Sequence, residues 1–200
     1  MLFRSGIVRK SAPNIVLEFV QQETEGTRGR LFKGDLDTAI MLKQGVLDGL
    51  NSAHVWVEEF VIMVGESNPI ARLNTLSEET LQSLKFAIQS HAPSLTKMVD
   101  DTFAAAGFTR KNVCSVADEQ SLYSLVHTFD LAVVGGRKFS ELNNRDNHLV
   151  LFDAPFDLPR VDVHLSWSHL SEDDQGHRWL RNHIIAILRD AYSMLGGSRP

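Results

Sequence analysis

Residues 90–94, Ser-His-Ala-Pro-Ser, lie where a small anion could be bound. They connect a predicted strand to a stretch with helical periodicity. Free backbone N–H groups at the start of a helix, together with a hydroxyl such as that of Ser94, form a natural anion site. Ordinary N-capping by Ser94 is the structural alternative. The candidate ligand-binding residues of this segment are Ser90, His91, Pro93 and Ser94.

The histidines raise the question of a metal site. His164 and His169 flank the end of a predicted strand, while His177 and His183 lie on the last predicted helix. The latter two are six positions apart and therefore do not share a helical face. No His-x-x-x-His pair falls on a predicted helix, and the chain has one cysteine, which excludes a cysteine-based zinc site. We predict structural or surface roles for the histidines and no metal.

Motifs for nucleophilic catalysis are missing from the sequence. It contains neither Gly-x-Ser-x-Gly nor a phosphate-binding Gly-x-x-x-x-Gly-Lys-Ser/Thr loop. Cys114 lies within a predicted strand and is expected to be a small buried apolar residue. We therefore predict no enzymatic activity and no cofactor. The alternative is an α/β enzyme whose Ser, His and Asp meet only in space, with nucleophile and base within about 3 Å.

Composition indicates a soluble globular protein. The chain has 200 residues, 43% of them hydrophobic, enough for one domain or two small lobes. It contains no apolar run of about 20 residues and no secretory leader, and its single cysteine favours the cytoplasm. The net charge of −5 argues against direct binding of nucleic acid by this chain.

Strand-like and helix-like segments alternate, which predicts an α/β fold with mostly parallel sheets. The predicted strands span residues 14–21, 36–42, 55–64, 84–89, 112–116, 131–134, 149–152 and 161–167. The predicted helices span residues 2–11, 25–33, 94–106, 118–129 and about 174–195. The apolar faces of two of them are predicted to contain Leu95, Met98, Val99, Thr102 and Ala106, and Leu122, Leu125, Val126 and Phe129. Gly34 and Gly107 are predicted to end helices.

Residues 161–181, VDVHLSWSHLSEDDQGHRWLR, combine a strand, an acidic turn and a helix start in an unusual order of side chains. They resemble the end of the effector-binding domain of LysR-type transcriptional regulators, especially the LeuO-like branch. The resemblance covers nearly the whole chain. Further matches are Gly34, Leu36, Asp37 and Ala39-Ile40, and Asn68-Pro69-Ile70-Ala71 where the family has His-Pro-Leu-Ala. Gly136 departs from the family pattern, which has a proline there.

The resemblance implies a type 2 periplasmic-binding-protein-like fold, in which two Rossmann-like lobes are joined by two crossover strands. Residues 1–69 and 162–200 would form lobe I, and residues 70–161 lobe II. A small-molecule effector would bind in the inter-lobe cleft and alter the angle between the lobes. Loops after strands would line this cleft, which adds Thr24, Met41 and Gly135 to the candidate site. Its hydroxyls, histidine and helix end favour a small carboxylate.

The resemblance also implies partners. Family members carry a winged helix-turn-helix and one further strand ahead of this region, so we expect both upstream and expect DNA contact only through that domain. Family domains form homodimers or homotetramers, which makes Leu2, Phe3 and Ile7 candidate interface residues unless they cover their own lobe. The alternative function is a free-standing solute-binding protein of the same fold, which the missing signal peptide disfavours.

Overall fold

The computed structural model describes residues 11–20, 24–43, 49–143 and 148–193, without the side chains of residues 24, 25, 119, 120, 142 and 143. The chain divides into two compact units, one made of Met1–Val57 and Val161–Pro200 and the other of Glu58–Arg160. Both boundaries fall within or beside a strand. The chain therefore passes from the first unit to the second and back through two extended segments.

The described helices and strands alternate along most of the chain. The helices are α1 (Thr24–Lys33), α2 (Glu78–Ser83), α3 (Pro93–Ala105), α4 (Glu119–Thr128), α5 (Arg137–Asn143) and α6 (Gln175–Ser193). The strands are β1 (Ala39–Leu42), β2 (Leu50–Gly65), β3 (Lys85–Gln89), β4 (Lys111–Val116), β5 (Ala132–Gly136), β6 (Leu149–Phe152) and β7 (Arg160–Ser168). Short 3-10 helices occupy Pro69–Arg72 and His169–Ser171.

The first unit packs α6 against a small sheet in which β7 lies between β1 and β2. Strands β1 and β7 are antiparallel, with Met41 opposite His164. The apolar core contains Val55, Trp56, Val163, Leu165, Leu188 and Tyr192. Trp56 and Tyr192 stack with 3.8 Å between ring centres, which fixes the last turns of α6 on the sheet.

The second unit is built on the other half of β2, which lies between β6 and β5 and is antiparallel to both. Strand β3 runs parallel to β4 and β5, so the carboxyl ends of these three strands lie at the same edge. Four consecutive β2 residues, Val61–Val64, are fully buried. Such an unbroken apolar run is expected of a strand that is covered on both faces.

Alternate residues of β2 point into two different cores because side chains alternate across a strand. Ile62 and Val64 contribute to the core under α3, and Val61 and Met63 to the core under α4. The first core also contains Phe86, Val99 and Phe103. The second also contains Leu122, Tyr123, Val126 and Val133. Helices α3 and α4 thereby pack on opposite faces of the sheet and fix the position of the edge at which β3 and β5 end.

The prediction of a strand over residues 14–21 was wrong for the part described. Residues 15–20 form no ladder pairing with any described strand. Val16 is 93% exposed and Phe19 62% exposed, so these apolar side chains do not enter either core. Strand propensity is not sufficient by itself, because a strand needs a neighbour for its backbone hydrogen bonds.

Several other predictions need correction. The sheet is mixed rather than mostly parallel, because β2 pairs antiparallel with β5 and β6, and β7 pairs antiparallel with β1. Phe129, predicted on the apolar face of α4, is the residue that ends this helix and is 61% exposed, whereas Tyr123 of the same helix is buried. Met98 and Thr102 lie on the outer face of α3 rather than in the core. The predicted helix 2–11 falls, apart from Ser11, outside the described residues, as do Leu2, Phe3 and Ile7.

Candidate functional site

A cavity of about 110 Å³ lies at the carboxyl ends of β3 and β5 in the second unit. Ligands of open α/β sheets bind in this position because adjacent parallel strands direct their connecting loops to one side. Typical ligand pockets measure roughly 300–1,000 Å³, so this cavity suits a small molecule or part of one. The residues that line it are Phe60, Met63, Ala87, Ile88, Gln89, Ala92, Leu95, Thr96, Val99, Arg110, Leu122, Tyr123, Val133, Val134, Gly135 and Gly136.

The amino end of α3 forms part of the cavity wall. The helix begins at Pro93, and Ala92 is its N-cap residue, with no side-chain hydrogen bond to the first turn. Ser94 is the second helical residue and therefore does not cap the helix, contrary to the structural alternative predicted for it. Ala92 and Thr96 line the cavity, so the partial positive charge of an uncapped helix end lies at its wall.

Among the described residues that line the cavity, Arg110 is the one whose side chain carries a formal charge. Its side chain is 3% exposed, and its Nε lies 2.7 Å from Oδ1 of Asp100. Its Nη2 donates a hydrogen bond of 3.3 Å to the carbonyl of Thr96. No local pattern in the sequence indicates this position, because an arginine between a helix-ending glycine and a strand is an ordinary surface pattern. Only the fold places it against the cavity.

Two glycines complete the end of β5 at the cavity. Gly135 lines it, and a side chain at that position would contact the terminal methyl of Met63. A Cβ atom on Gly136 would lie 2.6 Å from Cδ of Glu58, so the absence of a side chain permits the close approach of this buried carboxylate. Oε1 of Glu58 accepts a hydrogen bond of 3.0 Å from the backbone N–H of Lys138 at the start of α5.

The predicted site residues divide between the two units. Gly135 lines the cavity, whereas Ser90, His91, Pro93 and Ser94 are exposed in and after the turn that leads to α3. The hydroxyl of Ser90 donates a hydrogen bond of 3.1 Å to the carbonyl of Val116. Met41 is buried in β1 of the first unit. Thr24 begins α1, and its side chain lies outside the described residues.

A buried arginine holds the turn between β7 and α6. Arg181 is 3% exposed, and its guanidinium carbon lies 4.5 Å from the centre of the Trp167 ring. Its Nη1 donates to the carbonyl of Ser171 at 2.8 Å and lies 2.7 Å from Nδ1 of His177. Its Nη2 donates to the carbonyl of Glu172 at 3.1 Å. Because arginine only donates, Nδ1 of His177 must be the acceptor.

Glu172 links this turn to β2. Its Oε2 accepts hydrogen bonds of 2.6 Å from Nε1 of Trp167 and 2.7 Å from Nδ2 of Asn51. These two hydrogen bonds, with a smaller effect of Arg181, hold the pKa of Glu172 below its usual value. Trp167 of β7 thus contacts Arg181 of α6 and Glu172 of the turn between them, which gives the unusual order of side chains in residues 161–181 a structural role.

The described histidines take structural positions. No group of three or more metal-ligating side chains occurs in the part of the chain that the structure covers. Nδ1 of His164 lies 3.1 Å from the Ser52 hydroxyl, and its ring contacts that of His54 edge-on. Burial, together with the nearby charges of Lys43 and His54, holds the pKa of His164 below its usual value, and Asp162 partly opposes this effect.

Comparison with known proteins identifies the family. The protein-family model described as the LysR substrate binding domain matches residues 6–189 of this chain. The chain belongs to this family. It is 25% identical over 181 residues to the HTH-type transcriptional regulator SyrM 1 of Sinorhizobium fredii, covering 90% of this chain and 52% of that protein. LysR-type regulatory domains are parts of transcriptional regulators, not of enzymes.

Solved structures of LysR-type regulatory domains share the fold. The regulatory domain of MexT, a transcriptional activator in Pseudomonas aeruginosa, gives a TM-score of 0.79 at 21% identity, covering 91% of this chain and 89% of that one. The CcmR regulatory domain of Synechocystis, determined in complex with 2-PG, gives a TM-score of 0.77 at 11% identity. The match covers 92% of this chain and 88% of that one. The predicted type 2 periplasmic-binding-protein-like fold is thereby confirmed.

The LysR-type match covers one region of longer proteins. The chain spans about half the length of the curated relatives it matches, 52% of one and 59% of another. Among the described helices, none has both the length and the apolar character required to span a membrane.

Proposed function

We propose that this chain is the effector-sensing and oligomerisation domain of a LysR-type transcriptional regulator. A small molecule binds at the carboxyl ends of β3 and β5 and modulates DNA binding by a winged helix-turn-helix located upstream. The observation that carries this proposal is the cavity of about 110 Å³, with Gly135 in its wall and the uncapped end of α3 beside it. The regulatory domain of CcmR, described in complex with 2-PG, supports small-molecule binding by this fold.

The remaining parts of the proposal follow from the family. The regulator works in the cytoplasm, forms a homodimer or homotetramer, and has no catalytic activity of its own. The order of Trp167, His177 and Trp179 supports membership of the LeuO-like branch. Thr24 and Met41 remain predicted ligand contacts. Sedimentation analysis of the purified chain tests the oligomer, since a monomer at high micromolar concentration contradicts this part of the proposal.

A ligand screen tests effector binding directly. Small organic acids, amino acids and aromatic compounds are added to the purified chain, and thermal stability is followed. A ligand at 100 times its dissociation constant adds about 2.7 kcal/mol to the free energy of unfolding. Isothermal titration then gives the affinity of each hit.

A matched pair of variants tells whether a hit occupies the cavity. Leu95→Phe places a larger side chain in the cavity wall, and Leu73→Phe makes the same change at a residue that is 44% exposed in the same unit. We expect Leu95→Phe to weaken binding by about tenfold or more and Leu73→Phe to leave it unchanged. Equal binding by both variants would place the ligand elsewhere, and no hit from a folded sample would refute effector sensing by this cavity.

A further inference from the structure

We propose that Arg110 binds the carboxylate of the effector and that Asp100 is the internal carboxylate that competes for it. The inference rests on the proposed function and specifies its ligand class: a small carboxylic acid with an apolar body. Arg110 is then the residue that determines specificity. The affinity for acids depends on how strongly the ligand's carboxylate competes with that of Asp100 for the Arg110 guanidinium.

The first support is the burial of a full charge at the cavity. The side chain of Arg110 is 3% exposed, yet Asp100, its acidic partner, is 40% exposed at the surface of α3. A buried cation is costly unless it is paired and hydrogen-bonded. A partly solvated carboxylate on one side compensates for that cost only in part, so the cavity side of the guanidinium favours an anion.

The second support is the incomplete use of the guanidinium. Nε contacts Asp100, and Nη2 donates to the carbonyl of Thr96 over a long 3.3 Å. Among the residues that the structure describes, Nη1 has no hydrogen-bond partner. Arginine can hold a carboxylate through two parallel N–H donors, but Asp100 engages it through Nε alone. A ligand carboxylate therefore gains donors that the folded chain leaves unused.

The third support is the sign and polarity of the surrounding wall. The amino end of α3, whose N-cap residue Ala92 makes no side-chain hydrogen bond, adds partial positive charge at the same cavity. Most of the other lining residues, among them Leu95, Val99 and Val134, are apolar. A cavity of about 110 Å³ is close to the ~150 Å³ that holds one benzene molecule in another protein. The ligand class is thus an acid with a compact apolar group.

Paired probes that differ only in charge test the inference. Benzoate is compared with benzamide, and isovalerate with isovaleramide, by isothermal titration of the full chain at low salt. We expect each acid to bind about tenfold or more tightly than its amide. Arg110→Met should remove this preference while retaining most of the side-chain volume. The control Arg72→Met, at an exposed arginine of the same unit, should preserve it.

Asp100→Asn distinguishes ligand binding from a purely structural ion pair. The change removes the competing charge at a partly exposed position, so it should tighten acid binding by about threefold or more without affecting the amides. Weaker acid binding in Asp100→Asn would overturn the inference, and this variant decides alone if Arg110→Met does not fold. Equal binding of acids and amides by the parent chain refutes the role of Arg110 only. No binding of either class refutes the proposed function of the cavity as well.

Discussion

Replacing Arg181 by methionine should destabilise the first unit strongly. The side chain is 3% exposed and donates to the carbonyls of Ser171 and Glu172 and to Nδ1 of His177. Methionine fills a similar volume but leaves the carbonyl of Ser171 and Nδ1 of His177 without their donor, whereas the carbonyl of Glu172 keeps a hydrogen bond of 3.4 Å from Nη2 of Arg178. It also removes the cation from the face of Trp167. The exposed Arg189 of the same helix, which donates to the carbonyl of His54 at 2.6 Å, is the matched control.

The magnitude follows from the contacts. Each acceptor left without a partner in a partly buried position costs about 1–3 kcal/mol, so the two that lose their donor set a lower bound of about 2 kcal/mol. Breaking a buried charged network by removal of one member costs about 3–5 kcal/mol. We therefore expect Arg181→Met to lower the free energy of unfolding by about 3–5 kcal/mol, and Arg189→Met by about 0.5–1.5 kcal/mol. Arg181→Lys should fall between them, since one ammonium cannot reach all three acceptors at once.

Urea unfolding followed by tryptophan fluorescence measures this loss selectively. All three tryptophans, Trp56, Trp167 and Trp179, belong to the first unit, so their emission reports its unfolding. With a slope of about 1–3 kcal/mol per molar urea, the expected loss lowers the midpoint by about 1 M or more. A loss below about 1 kcal/mol, or one no larger than that of Arg189→Met, would show that the arginine network does not stabilise the unit.

Three further predictions concern pH and packing. Burial keeps the pKa of His164 in the folded state below its pKa in the unfolded chain. The free energy of unfolding should therefore fall as the pH drops below about 6.5. His164→Gln should abolish this dependence, which is measured as urea midpoints between about pH 7.5 and 5. Hydrogen bonds lower the pKa of Glu172. The stability that its carboxylate contributes is therefore present above the unfolded-state pKa of about 4.3 and is lost as the pH falls through the lower folded-state pKa. Glu172→Gln should accordingly reduce the loss of stability between about pH 5 and 3. Phe103 is 1% exposed, so Phe103→Ala should lower the free energy of unfolding by about 3–5 kcal/mol, whereas Phe129→Ala, at 61% exposure, should lower it by less than about 0.5 kcal/mol. Urea unfolding followed by circular dichroism measures both losses. Equal losses would contradict the assignment of Phe103 to the core.

Local features of the fold were predictable from the sequence because their causes are local. Asp118 caps α4, at the start of the helix predicted over residues 118–129, by accepting a 2.8 Å hydrogen bond from the N–H of Ser121. Gly34 and Gly107 follow helices with φ of 76° and 84°, the left-handed conformation that a helix-ending glycine adopts. The strand predicted over residues 149–152 has those bounds. Each of these depends on residues within a few positions of one another.

Pairing between distant segments was less predictable. The strand-like composition of residues 14–21 gave a wrong prediction, since residues 15–20 have no partner strand among those described. The end of α4 shows the same limit: Phe129 continues the helical apolar period but lies beyond the sheet that Val126 contacts. Periodicity indicates which face of an element is apolar, but not how far the opposing element extends.

The sequence by itself determined the family, the alternation of strands and helices, and the importance of the segment from Trp167 to Arg181. Only the tertiary structure showed that this segment is a structural network and that Arg110 lies at the cavity. The reason is physical. A capping hydrogen bond forms between neighbours in the chain, whereas the cavity brings together Phe60, Gln89, Arg110 and Gly135 from separate strands, a helix and a loop. Its charge and size exist only after the strands have paired and the helices have packed against them.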